Sequence, residues 1–175
     1  MPALSASVKY EKEKLWHVQL SGLFRVLEYY NKTSNMDFYI PTWGINIGTA
    51  VHLVPEKTVL KLQGVYGQGI GSYMTDLADL EDEANTVYTV DRGKSSRKTV
   101  DAWIAGINVE HKWLPKLCSE LAYQVVATVD NERAEDAYKH GHTASVNLFY
   151  HPTKQIKVGA EYLLSTRQNI SKDWK

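Results

Sequence analysis

GQGIGSY at residues 67–73 carries G-x-G-x-G, a spacing with which backbone N–H groups can cradle a phosphate. Such a loop needs a buried parallel strand before it inside a βαβ unit, and none is legible here. Gly at this density also lets a strand bend or bulge as it ends. TDLADLEDE at 75–83 gathers Asp76, Asp79, Glu81, Asp82 and Glu83, without the regular ligand spacing and turn Gly of a calcium loop. It reads as a solvated loop or short exposed helix, or as part of a long loop folded inward to narrow a pore. His140 and His142 stand two apart with no carboxylate or Cys at a persuasive metal-ligand offset. Cys118 has nothing nearby in sequence that would activate its thiol, and no Ser-His-Asp arrangement is readable. Neither an enzyme activity nor a cofactor or metal is expected from these residues.

The chain that positions them has 175 residues, with 20 Lys and Arg against 20 Asp and Glu. Zero formal charge removes the electrostatic argument for a nucleic-acid partner. One Cys excludes a disulfide framework and a Cys-based zinc site. Mean hydropathy is −0.36, and no apolar run approaches the ~20 residues of a membrane-spanning helix. A membrane β-barrel has the same polar average, because every second residue faces water. MPALSASVKY lacks the apolar region of a signal peptide, so none is expected in this chain.

Parity is more informative than the average. Trp16, Val18, Leu20, Gly22, Phe24 and Val26 alternate with His17, Gln19, Ser21, Leu23 and Arg25. Trp43, Ile45, Ile47, Thr49, Val51 and Leu53 repeat the scheme, as do Leu121, Tyr123, Val125, Ala127 and Val129. A period of two predicts strands near 4–10, 16–28, 39–53, 58–72, 99–113, 117–130, 141–151 and 155–167. Short connections at 11–15, 54–58, 113–117 and 151–155 alternate with long ones at roughly 28–40, 68–99 and 130–141. The expected fold class is all-β, an antiparallel up-and-down transmembrane β-barrel or a segment of a larger one.

The aromatics bound the apolar parity at both ends. Tyr10, Trp16, Trp113 and Tyr150 flank the short turns, while Trp43, Tyr66, Trp103, Tyr123 and Tyr162 lie toward the long loops. Two such bands match the headgroup-depth girdles of a membrane barrel. The opposite parity holds small and polar residues, which a dry core holds only at a cost of several kcal/mol per unpaired charge. Its pore-lining candidates are Arg25, Lys61, Gln63, Asn108, Glu110, Glu120, Gln124, Asn147, Lys157 and Glu161. Arg25, Lys61 and Lys157, with Arg92, Arg97 and Lys98 in the longest loop, would raise the local anion concentration. Pairing with Glu110, Glu120 and Glu161 would instead cancel that field.

Four runs carry a family resemblance: LSGLFRVLEYYNK at 20–32, WGINIGTAVHL at 43–53, LQGVYGQGIGSYMTDL at 62–77 and SVNLFYHPTKQIKVGAEYLLSTRQN at 145–169. They resemble the C-terminal portion of a Gram-negative outer-membrane porin family, the DcaP-type (dicarboxylate-associated) porins. The Gly-rich segment and the last hairpin are its most specific parts. The resemblance implies an outer-membrane location, a homotrimer when complete, and passage of small hydrophilic, often anionic, solutes through the lipid bilayer. The chain lacks the earlier strands and the final strand of such a barrel, so the expectation is a single segment of a barrel of about 16 strands.

Two function classes follow. One is a passive porin that selects by pore width and lining charge. The other is a soluble eight-stranded lipocalin-like barrel binding a small hydrophobic ligand, with the aromatic-rich parity turned inward.

Overall fold

The computed structural model describes residues 2–13, 15–31, 36–74, 77, 85–91, 94–129 and 135–171. Eight strands form one antiparallel sheet: β1 (Leu4–Lys12), β2 (Trp16–Asn31), β3 (Met36–Val54), β4 (Thr58–Gln68), β7 (Asp101–Leu114), β8 (Leu117–Thr128), β9 (Tyr138–Tyr150) and β10 (Val158–Asn169). Between β4 and β7 the described residues form a 3-10 turn (Gly71–Tyr73) and a separate hairpin of β5 (Thr86–Asp91) and β6 (Lys94–Thr99). Strand order in the sheet follows the chain, the meander that alternating short and long connections predict. This is the wall of a transmembrane β-barrel, and among the described residues β1 and β10 each pair on one side. The sheet begins at Leu4 and ends at Asn169, both at the long-loop end.

Two of the short turns, after β1 and after β3, use left-handed backbone. Glu13 has φ 44° and Glu56 has φ 59°. Hydrogen bonds such as Leu15 N to Lys12 O (2.8 Å) and Lys57 N to Val54 O (3.1 Å) close the turns. Register shifts at His52/Val54 and Lys112/Leu114 sit beside turns, where bulges re-aim a strand at a barrel rim.

The apolar parity points outward. Val8 is 72% exposed, Ile47 54% and Tyr162 70%. Aromatic pairs lie on the same face at both ends: Tyr10–Trp16 with ring centroids 5.5 Å apart, and Trp43–Tyr66 at 5.8 Å. Their polar atoms find partners along the rim. Trp113 Nε1 donates to Ser119 Oγ (3.0 Å), Trp43 Nε1 to Gln68 Oε1 (3.2 Å) and Tyr66 OH to Asp101 Oδ2 (2.8 Å). Amphipathic rings at headgroup depth use their polar edge in this way.

Three expectations about connections need correction. The loop expected at 28–40 is mostly strand, because β2 and β3 continue in register through Glu28↔Tyr39, Tyr29↔Phe38 and Tyr30↔Asp37. Its aromatics favour extended backbone and find partners there: Tyr39 OH donates to Glu28 Oε1 at 3.2 Å, and the Arg97 guanidinium lies 4.1 Å from the Tyr29 ring centroid. The strand expected to 72 stops at Gln68, since Gly69 adopts φ 66° and turns the chain aside. The stretch 68–99 is not all loop: β5 and β6 pair from Thr86↔Thr99 to Asp91↔Lys94, two short runs with a Gly in the sequence between them.

Candidate functional site: the polar face of the sheet

Pairing register places residues opposite one another across the strands, so a face can be read row by row. One row crosses seven strands as Gln19, Gly48, Gln63, Gly106, Gln124, Thr143 and Ser165. The next row toward the short turns runs His17, Ala50, Lys61, Asn108, Ala122, Ser145 and Leu163. The row beyond holds Val59, Glu110, Glu120, Asn147 and Glu161. Arg25 lies on the same face, opposite Thr42 near the long loops. Lys157 precedes β10 on the parity of Glu161. The ten candidates therefore share one face of the sheet. A polar trough runs along its middle, lined by His17, Gln19, Asn46, Lys61, Gln63 and Gln124 among others.

Local chemistry decides which charges are free. Glu110 and Glu120 stand directly opposite, an unfavourable pairing of like charges. Lys61 Nζ relieves it by approaching Glu110 Oε2 at 3.3 Å, and Asn108 Nδ2 donates to Glu120 Oε1. Gln63 Nε2 donates to Asn46 Oδ1 at 3.1 Å. Lys157 Nζ sits 3.5 Å from the Phe149 ring centroid. Of the pairings set against the anion field, Lys61–Glu110 is present, whereas Arg25 and Lys157 meet other partners.

Arg25 has a different surrounding altogether. Its Nη2 donates to Gly69 O (3.0 Å), Ser72 Oγ (2.9 Å) and Asn85 Oδ1 (3.0 Å), and its guanidinium lies 4.7 Å from the Tyr73 ring centroid. All three acceptors are neutral. Asn85 Oδ1 also accepts from Ser72 N at 3.2 Å. These bonds hold the segment after β4 against the polar face.

That segment supplies a small core. Ile70, Met74 and Leu77 are buried with Ala102, Val126 and Tyr138, and Leu23, Val65 and Ile104 pack against them. Ile70 rests over two glycines paired across β3 and β4: a Cβ on Gly44 would come within 2.7 Å of Ile70 Cδ1, and so would one on Gly67. The described residues 69–74 and 77 lie against the polar face; the stretch 75–83, for which inward folding is the expectation, is otherwise outside the described residues. The acidic residues Asp76, Asp79, Glu81, Asp82 and Glu83, and Arg92, lie outside the described residues. Sequence reasoning missed the seat itself, although its signal was present. Leu23, Val65, Ile104 and Val126 are apolar residues on the water-facing parity, and each needs a cover.

The remaining motif residues take bland positions. His140 and His142 lie on the outward parity, 5.5 Å apart by ring centroid, and Tyr123 OH is 2.7 Å from His142 Nδ1. Cys118 lies on the polar face, and the fold brings His151 Nε2 to 3.8 Å from its Sγ, a neighbour that sequence distance had hidden. Among the described residues no group of three metal-ligating side chains converges. The lipocalin reading requires the aromatic-rich parity inside, and the structure turns it outward.

No known family model and no curated protein sequence matches the chain. Among solved structures it is similar to the outer membrane channel DcaP of Acinetobacter baumannii, with a TM-score of 0.79 and 22% sequence identity. The match covers 99% of this chain and 48% of the channel. The chain spans about half the length of that protein. The resemblance drawn from the residue runs is thus matched by the fold.

Proposed function

We propose that this chain forms part of the wall of an outer-membrane porin of a Gram-negative bacterium, passing small hydrophilic solutes by passive diffusion. The observation that carries the reading is register: ten charged or amide side chains share one face, while the opposite face exposes an aliphatic band between aromatic rims. A lipid-facing band and a water-facing lining on alternate residues are what a conducting barrel requires. Selection then depends on width and lining charge, with no covalent step, and the complete barrel is a homotrimer, as the DcaP-type resemblance implies.

The expected solutes are anionic. Among the described residues the hydrogen-bond acceptors of Arg25 at the narrowed end are all neutral, while Lys61, nearer the short turns, pairs with Glu110. A guanidinium at a constriction raises the local anion concentration.

Reconstitution of the protein into planar bilayers under a KCl gradient tests the reading. Stepwise conductance with a reversal potential on the chloride side is the expected result. A protein that folds as a monomer in buffer without detergent, and leaves bilayers unchanged, overturns it.

A further inference from the structure

We infer that Arg25 is a positioning residue, a latch that holds the inward-folded residues 69–74 in place through hydrogen bonds to neutral acceptors. Two stretches of chain meet at its Nη2: the segment after β4, through Gly69 at the bend and Ser72 in the 3-10 turn, and Asn85 before β5. Asn85 is buried and joins the two, its Oδ1 accepting from Arg25 and from the Ser72 backbone N–H. Tyr73 lies over the same guanidinium, so the turn is held from a second side.

The rest of the attachment is apolar and unspecific in direction. Ile70, Met74 and Leu77 rest on Leu23, Val65 and Ile104, with Gly44 and Gly67 beneath Ile70. Apolar contact gives affinity for the wall without fixing orientation. The described backbone bonds within the segment are local: Tyr73 N to Ile70 O, Met74 N to Gly71 O and Leu77 N to Met74 O, each 2.9 Å. Gly69 N to Val100 O (2.9 Å) ties the root of the bend to the strand side, not to β2. Arg25 thus supplies the described hydrogen bonds that join the turn to β2. Parity marked it as a solute-attracting charge; its contacts make it the holder of the narrowing element as well.

The latch rests on the porin reading only for its conductance arm. Hydrogen exchange on the full-length protein in detergent micelles reads the segment directly, whether or not the protein conducts. R25A is expected to speed exchange at the Tyr73, Met74 and Leu77 amides by about tenfold or more, the loss of charge-assisted bonds, with strand amides unchanged. N85A removes one acceptor and keeps the guanidinium; it is expected to speed the same amides severalfold and to leave the sign of selectivity alone. R25K is expected to recover part of the protection. In bilayers, R25A is expected to raise conductance and open-channel noise together. Unchanged exchange at Tyr73, Met74 and Leu77 in both R25A and N85A overturns the latch, and a selectivity change in R25A without any change in exchange reduces Arg25 to a lining charge. Absence of conductance in the unmodified protein sinks the porin reading and leaves the exchange result to decide the latch.

Discussion

The two ends of the polar face are built for different surroundings. Toward the short turns, Glu110, Glu120, Asn147 and Glu161 share a row, and their neighbours Lys61 and Asn108 offset them at the surface of an open trough. Toward the long loops, the same parity carries Leu23, Val65, Ile104, Val126 and paired glycines, covered by a segment of the chain itself. Among the described residues of this face, arginine is the charge at that end: Arg25 over Tyr73, and Arg167 at 5.3 Å from the Tyr138 ring centroid. Alternation assigns a residue to a face; whether that face meets water or protein is settled further along the strand.

The largest contrast is expected between two glycines of this face. Val at Gly67 would push Cβ into the Trp43 carbonyl oxygen, to 2.6 Å from Gly44 Cα and to 2.7 Å from Ile70 Cδ1. G67V should cost about 3 kcal/mol, the upper part of the overpacking range. G106V, whose added Cβ finds only the Tyr123 carbonyl oxygen at 3.8 Å, should change stability little. Guanidinium unfolding from lipid vesicles compares the two, and equal losses would erase the distinction between the ends.

A contrast of similar size separates the two faces at one depth. Leu62 and Gln63 are adjacent in β4 and point to opposite sides. L62R should cost about 2–4 kcal/mol in lipid if the residue sits at the bilayer midplane, whereas Q63R should be tolerated in water. The same unfolding experiment in detergent should narrow the gap.

The smallest effect concerns the exposed turn-side charges. E110Q frees Lys61 from its partner and relieves the repulsion from Glu120. Lys61 is half exposed, so stability should move by no more than about 1 kcal/mol. Reversal potentials should shift toward anions, and an unchanged reversal potential would place Glu110 outside the conducting path.

Much of this arrangement was legible because a period of two is a strong signal wherever one face meets an apolar medium. Gln63, Gln124 and Glu161 needed only parity to be assigned a side. Arg25 also had its side from parity, yet its partners Gly69, Ser72 and Asn85 come from 44 to 60 residues away, a distance that pattern does not bridge. The projecting ends of β2 and β3 escaped notice because Glu28-Tyr29-Tyr30 breaks the alternation of apolar and polar types, while their pairing continues unchanged. The β5–β6 hairpin was hidden by its length and polarity: strands of 6 residues that do not cross the membrane need no apolar face.

An even number of passes has a consequence for sidedness. The sheet is entered at Leu4 and left at Asn169, both beside the long loops, so eight crossings return the backbone to the compartment it came from. Reporter groups at Ala3 and Ser171 should therefore be quenched together by an impermeant reagent added on one side of sealed vesicles. A probe at Glu56, in the turn between β3 and β4, should answer only to the opposite side.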